Sequence, residues 1–168
     1  MDSRRLARFE RVARAASRLA YRPHEAAAET EHPFETRNIH PSLPVIVRDL
    51  FDDGHYSQST FEALKFVDRE VARLASQTDS GFKLMMNVFA ESTPILQLTP
   101  CSSVSERDEQ KGFQFLFAGS VLAIRNPRGH QYSVRDSPDE CLDHLALASV
   151  LLRRLQAAGF KLAAAPVT

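Results

Sequence analysis

The chain has 168 residues, of which 43% are hydrophobic and 25% are charged, and its formal net charge is zero. This composition suits one soluble domain with a sizeable core and excludes a global electrostatic attraction to nucleic acid. Cys101 and Cys141 are too few for a disulfide framework, which predicts reduced thiols in the cytoplasm. No apolar run reaches the roughly 18 residues of a membrane span, so no membrane association through a spanning helix is expected.

The first 22 residues predict a basic amphipathic helix. They hold seven arginines against Asp2 and Glu10, and an apolar face can be drawn over residues 3–22. Such a helix could bind an RNA backbone, lie on a membrane surface or pack on the rest of the protein, and we expect the third. An arginine-rich start also resembles a transit peptide, but the two acidic residues argue against one. Prolines then indicate a linker, so residues 1–38 are assigned to this helix and linker.

Hydrophobic periodicity predicts five more helices after the linker. Their approximate ranges are 42–51, 55–76, 83–90, 105–126 and 137–158. Capping boxes begin the last two, at Ser103 with Glu106 and at Ser137 with Glu140. In the last helix, five residues are predicted to face the core: Leu142, Leu145, Ser149, Leu152 and Leu155. We therefore expect an all-α antiparallel bundle of about five or six helices, with the main domain at 39–158 and a C-terminal tail at 159–168.

The helix predicted at 105–126 carries apolar residues on two sides. One stripe consists of Phe113, Phe117, Val121 and Ile124. Phe115 and Leu122 lie nearly opposite that stripe, so we expect the helix to be buried at the centre of the bundle. A narrow polar line along the same helix contains Lys111, Gln114 and Arg125.

This helix leads into the segment Arg125-Asn126-Pro127-Arg128-Gly129-His130. Pro127 lacks a backbone donor and disfavours helical angles in Asn126, and Gly129 permits a tight bend. We therefore expect the helix to stop and His130 to fold back beside Arg125. A fixed cation beside a group that titrates near neutral pH suits a phosphodiester. In the structural alternative, Arg125 binds the last carbonyls of its own helix and His130 is an ordinary loop residue.

A second turn could contribute to the same site. Asp53 and His55 precede the helix predicted at 55–76, and helix ends in a bundle can converge. These residues could reach the site, or they could serve only as turn and capping residues. No His pairs with a Cys or carboxylate at metal-ligand spacing, so we expect neither a metal nor another cofactor.

The motif resembles the signature of the HEPN superfamily, in which a His follows an Arg by four to six residues. More of the chain, about residues 39–156, resembles the Ymh-type branch of bacterial proteins. The matching residues are His40-Pro41, Asp53-Gly54-His55-Tyr56, Glu62-Ala63, Met85, Val88-Phe89, Pro94-Ile95-Leu96, Glu106, Glu109-Gln110, Gly112, Gly119, Arg125-Asn126-Pro127, His130 and Leu145 to Arg154. One departure is Gly129, where Ala is more usual and where we expect glycine to loosen the loop.

The resemblance implies a metal-independent endoribonuclease of the toxin or phage-defence type. Arg125, Asn126 and His130 would be catalytic in such an enzyme. Substrate contacts are expected from Arg128, Gln114, Lys111 and His55, although an exposed position without a ligand is equally compatible with the pattern at Arg128. The resemblance also implies a homodimer whose two motifs share one cleft. The alternatives are a non-catalytic module that binds RNA or a nucleotide, and an accessory partner of a neighbouring nucleotidyltransferase or antitoxin.

Overall fold

A computed structural model describes residues 31–130 and 133–163 of the chain. Its contacts divide the chain after His32, and the fold described here is the compact unit that begins at Pro33. The helix predicted at 3–22 lies outside the described residues. Every regular element in the described part is helical and none is a strand, which confirms the all-α prediction. None of the described helices is long and apolar enough to cross a membrane.

The helices have the following bounds. They are α1 (Pro33–Thr36), α2 (Val45–Asp52), α3 (Tyr56–Leu74), α4 (Gly81–Val88), α5 (Val104–Gly119), a π-helical segment (Ser120–Arg125), α6 (Asn126–His130) and α7 (Pro138–Ala157). The two capping boxes predicted from sequence are present, with Ser103 and Ser137 accepting hydrogen bonds from the backbone amides of Glu106 and Glu140. The segment 94–98 is irregular, as expected.

The long helices α3 and α7 run in the same direction. At one end, Thr60 Oγ1 of α3 donates to Asp136, which immediately precedes the cap of α7. At the other end, the backbone amide of Ala163 donates to Glu70 near the end of α3. The tail therefore packs along α3 at least as far as Ala163.

Helix α5 runs antiparallel to α7, because Arg154 near the end of α7 pairs with Glu109 near the start of α5. The core lies where α3, α5 and α7 meet the short helices. All five positions of α7 predicted to face inward are buried. On α3 the buried apolar residues are Ala63, Leu64, Val67 and Val71. Their spacing of three and four residues is the period of a helix that buries one face.

The prediction that the helix stops at Pro127 is wrong. The chain passes from α5 through the π-helical segment into α6 without leaving the helical path, and α6 includes Pro127 and ends at His130. Within the π-turn, the amide of Asn126 donates to the carbonyl of Val121, five residues earlier. A π-turn widens the helix by one residue, which provides room for a proline ring that would clash with a carbonyl in an α-helix. His130 therefore does not fold back across a loop.

The prediction that the central helix is buried on both sides is also wrong. Phe117 and Val121 of the predicted stripe are buried, but Phe115 and Leu122 are each 54% exposed and Leu116 is 47% exposed. We call Phe115, Leu116 and Leu122 the α5 strip. It runs along the outer face of α5 into the π-helical segment, and it ends within one turn of Arg125.

Candidate functional site

A surface depression of about 510 Å³ lies between the start of α3 and the end of α6. Its lining residues are Ser57, Gln58, Phe61, Arg128, Gly129, His130 and Val134. We call it the His130 depression. Helix α6 places the exposed His130 side chain at its edge, and α3 supplies the facing wall. The depression falls within the size range of small-molecule sites.

The Arg128 side chain is mostly buried and binds other groups of the chain. Its Nε donates to Asp136 Oδ2 over 2.8 Å, its Nη2 donates to Asp136 Oδ1, and its Nη1 donates to the carbonyl of Ile124 over 2.8 Å. The Arg128 side chain is 10% exposed, and that of Asp136 is 3% exposed. An exposed position for Arg128 is therefore wrong. Because its donors are occupied within the chain, Arg128 holds the site together and is not free to bind a phosphate.

Asp136 is the centre of a small polar cluster. It also accepts a hydrogen bond from Thr60 Oγ1 at 2.9 Å, and His144 Nδ1 lies 3.7 Å from it. Burial raises the pKa of Asp136, but hydrogen bonds from Arg128 and Thr60 outweigh burial and hold the pKa below its usual value. Burial, assisted by the charge of Arg128, lowers the pKa of His144. The cluster is thus an ionised carboxylate and guanidinium beside a histidine that favours its neutral form.

Arg125 has a different environment. Its side chain is 24% exposed, and its guanidinium carbon lies 5.6 Å from the centre of the Phe61 ring. Nη2 lies 3.8 Å from the buried carboxylate of Asp68, beyond hydrogen-bonding distance, and Nε has no acceptor among the described residues. The Nε atom is buried, so only the terminal nitrogens of Arg125 can meet a ligand. Arg125 does not itself line the His130 depression, but the Phe61 ring that it contacts does.

Asn126 and Gly129 set the positions of these groups. Asn126 Oδ1 accepts a hydrogen bond from Arg125 Nη1 at 3.1 Å, so Asn126 orients the guanidinium. A Cβ atom added at Gly129 would lie 2.8 Å from Phe61 Cε2, closer than real Cβ contacts come. Glycine here permits α6 to approach α3, and the prediction that it loosens a loop is wrong because it lies inside a helix.

The polar line along α5 does not form one surface. Gln114 is buried, and its side-chain amide donates to the carbonyl of Met86 over 2.6 Å, which ties α5 to α4. Gln114 therefore holds two helices together and does not face the surface where a substrate would bind. Lys111 is 53% exposed and lies 3.5 Å from Glu91. It lines neither the His130 depression nor the depression described next.

A second depression of about 400 Å³ adjoins the first. Its lining residues are Gly54, His55, Tyr56, Ser57, Gln58, Val134, Arg135 and Asp136. We call it the His55 depression. His55 lines this depression and not the His130 depression, and the two share Ser57, Gln58 and Val134. His55 precedes the first turn of α3 and makes no side-chain capping bond, so it does not take the capping role offered as the alternative.

Sequence reasoning missed Phe61, Asp136, His144 and Arg135. The sequence predicts Phe61 only as an inward-facing residue of its helix, and His144 only as one of six scattered histidines. The available signal was the position of Asp136 next to the Ser137 cap, since a carboxylate before a helix start is often a hydrogen-bond acceptor. Within the described ranges, no group of three or more His, Cys, Asp or Glu side chains is arranged to hold a metal ion.

Comparison with known proteins identifies one family. A sequence model of the family described as "Protein of unknown function (Hypoth_ymh)" matches residues 37–155, which include α2 to α6 and nearly all of α7. No curated protein and no solved structure matches the chain.

Proposed function

Because the chain belongs to the Hypoth_Ymh family, whose description names no activity, we propose from its site that it is a metal-independent endoribonuclease resembling the HEPN toxins and phage-defence nucleases. It acts in the cytoplasm on an RNA substrate. The observation that carries the proposal is that Phe61, which contacts the Arg125 guanidinium, also lines the depression that holds the exposed His130, so a cation and an imidazole lie near the same ring.

Cleavage of RNA by its own 2′-hydroxyl requires a group that transfers a proton and a cation beside the phosphate. His130 removes the proton from a ribose 2′-hydroxyl, or donates one to the departing 5′-oxygen. The 2′-oxygen forms a bond to phosphorus while the bond from phosphorus to the 5′-oxygen breaks, which leaves a 2′,3′-cyclic phosphate and a 5′-hydroxyl. Arg125 stabilises the charge that builds on the phosphate oxygens, and Asn126 keeps Arg125 oriented. DNA lacks the 2′-hydroxyl and is not cleaved.

One chain supplies one His130, whereas phosphodiester cleavage benefits from both a base and an acid. A two-fold dimer provides a second copy of each group, because an isologous interface brings the same surface together. The α5 strip supports such a dimer: its three large apolar side chains are about half exposed and lead directly to Arg125. We therefore propose that a second copy of this chain covers the α5 strip and brings the two motifs to one cleft.

The test compares RNA cleavage by the wild type, Arg125→Lys and His130→Ala in excess EDTA. Wild-type cleavage should persist in EDTA and leave cyclic phosphate ends. The rate of RNA cleavage should fall about 100-fold or more in both variants. Lys lacks the planar fork of Arg, and Ala removes the proton-transfer group. Arg69→Ala is the matched control, because Arg69 is exposed on α3 and lines neither depression. Its activity should be unchanged.

Circular dichroism must show that the variants fold. Activity that disappears in EDTA and returns with a divalent ion would overturn the proposed chemistry. Binding of RNA without cleavage by the wild type would identify a non-catalytic RNA-binding module instead. Neither binding nor cleavage would favour an accessory role beside a neighbouring nucleotidyltransferase or antitoxin.

A further inference from the structure

The two depressions lie side by side and share a wall, which is formed by the first turn of α3 and the segment before α7. Both depressions are lined by Ser57, Gln58 and Val134. Ser57 Oγ donates to the carbonyl of Val134 over 3.2 Å and accepts the amide hydrogen of Asp136 over 2.7 Å. These two bonds hold the wall in place, so a ligand in one depression has a fixed neighbour site in the other.

The charge available in the His55 depression is positive. Arg135 and His55 are exposed there. Asp136 also lines the depression, but its side chain is only 3% exposed and its oxygens accept hydrogen bonds from Arg128 and Thr60. The carboxylate is therefore neutralised by Arg128, whereas the Arg135 guanidinium faces solvent. The start of α3 at the same place adds the partial positive charge of a helix N-terminus.

The two depressions share three lining residues, and successive phosphates of RNA are joined by a single nucleotide, so one strand bound in the first depression continues beside the second. We propose that the His55 depression is a second RNA subsite, in which Arg135 and His55 bind the phosphate next to the one that is cleaved beside His130. This inference rests on the proposed endoribonuclease function. It adds that the protein holds at least two consecutive phosphates of one strand.

Arg135 then contributes to binding and not to the chemical step. Arg135→Ala should raise KM for an RNA with a flanking phosphate about tenfold, the loss of one charge-assisted hydrogen bond, and leave kcat unchanged. A dinucleotide with a single phosphodiester should be cleaved equally by the wild type and Arg135→Ala, because it has no second phosphate for Arg135 to bind. His55→Ala should show the same pattern with a smaller increase in KM.

Salt dependence separates a phosphate contact from a structural effect. We would measure the affinity for a fluorescent single-stranded RNA whose sugars all carry 2′-O-methyl groups, which cannot be cleaved, over a range of salt concentrations. For Arg135→Ala, the slope of log K against log salt should become less steep by about 0.7, the value for one neutralised phosphate on a single strand. Arg135→Lys should restore the slope, because Lys keeps the charge. Arg69→Ala, the same exposed residue type outside both depressions, should leave the slope unchanged.

The outcomes distinguish the two proposals. Wild-type cleavage with an Arg135→Ala slope and KM equal to those of Arg69→Ala overturns the second subsite and leaves the endoribonuclease intact. An Arg135-dependent slope in a wild type that never cleaves RNA supports the phosphate subsite and overturns the endoribonuclease. A wild type that neither cleaves RNA nor binds the 2′-O-methyl RNA overturns both.

Discussion

Arg128 and Asp136 form a buried ion pair that joins the end of α6 to the entrance of α7. Arg128 donates to both carboxylate oxygens, and the two side chains are 10% and 3% exposed. His130 lies two residues beyond Arg128, so this pair also fixes the edge of the His130 depression. Its strength determines whether the candidate site exists as a defined surface.

Asp136→Asn should destabilise the fold strongly. Removing one charge of a buried pair leaves the Arg128 guanidinium uncompensated, which costs about 3 kcal/mol. Asp143→Asn is the matched control, because the Asp143–Arg37 pair has side chains 68% and 44% exposed. That exposed pair should contribute about 1 kcal/mol or less. Urea unfolding measures both, and equal effects would contradict the structural role of Asp136.

Acid should weaken the fold in two ranges of pH. The pKa of His144 is held below its ordinary value of 6.5, mainly by burial. As the pH falls below that value, the unfolded chain takes up the proton first, so stability present at higher pH is lost down to the folded pKa. The lowered pKa of Asp136 acts in the same direction below its ordinary value of 3.8.

Unfolding free energies measured from about pH 8 down to pH 5 would isolate the first range. His144→Gln should remove part of the decrease, whereas His55→Gln, at an exposed position, is the control. A decrease that is identical in the wild type and His144→Gln would show that His144 does not contribute.

Gly129→Ala should impair the site although alanine favours helices. The new Cβ would come within 2.8 Å of Phe61, so either the ring or α6 must move. Gly112→Ala is the control, since its Cβ would meet no atom within 4 Å and should stabilise the helix by about 0.5–1 kcal/mol. RNA cleavage by Gly129→Ala should fall, by up to about 100-fold if the displacement reaches about 1 Å.

A second substitution locates the cause of that loss. Phe61→Leu removes the ring atoms that the new methyl group would touch. The double variant Gly129→Ala with Phe61→Leu should therefore lose less cleavage activity than the sum of the two single losses. Additive losses would rule out this contact as the reason for glycine.

Leu122→Asp should convert a dimer to a monomer and abolish cleavage. A charge in the centre of an apolar interface is unpaired and desolvated, whereas Leu122 is 54% exposed in the single chain and its replacement leaves the fold intact. Ile95→Asp is the control, because Ile95 is 52% exposed but lies outside α5. Light scattering gives the masses. An active wild-type monomer, or an unaffected Leu122→Asp dimer, would contradict the composite site.

Local sequence patterns determined much of the fold. The helix starts at Ser103 and Ser137 and the buried face of α7 follow from interactions between residues three or four positions apart. Patterns of this range are visible in a single chain because the interacting groups are neighbours along it.

The tertiary structure alone decided how the motif is arranged. Pro127 predicted a break, but contacts of the following turn with α3 and with Asp136 outweigh the local preference, and a π-turn accommodates the ring. Arg125 lies against Phe61 of α3, whereas Arg128 is paired with Asp136 before α7. These two environments exist only once α3, α6 and α7 pack together. Contacts between residues of different elements have no local signature, which is why the sequence indicated Arg125 and Arg128 but not their partners Phe61 and Asp136.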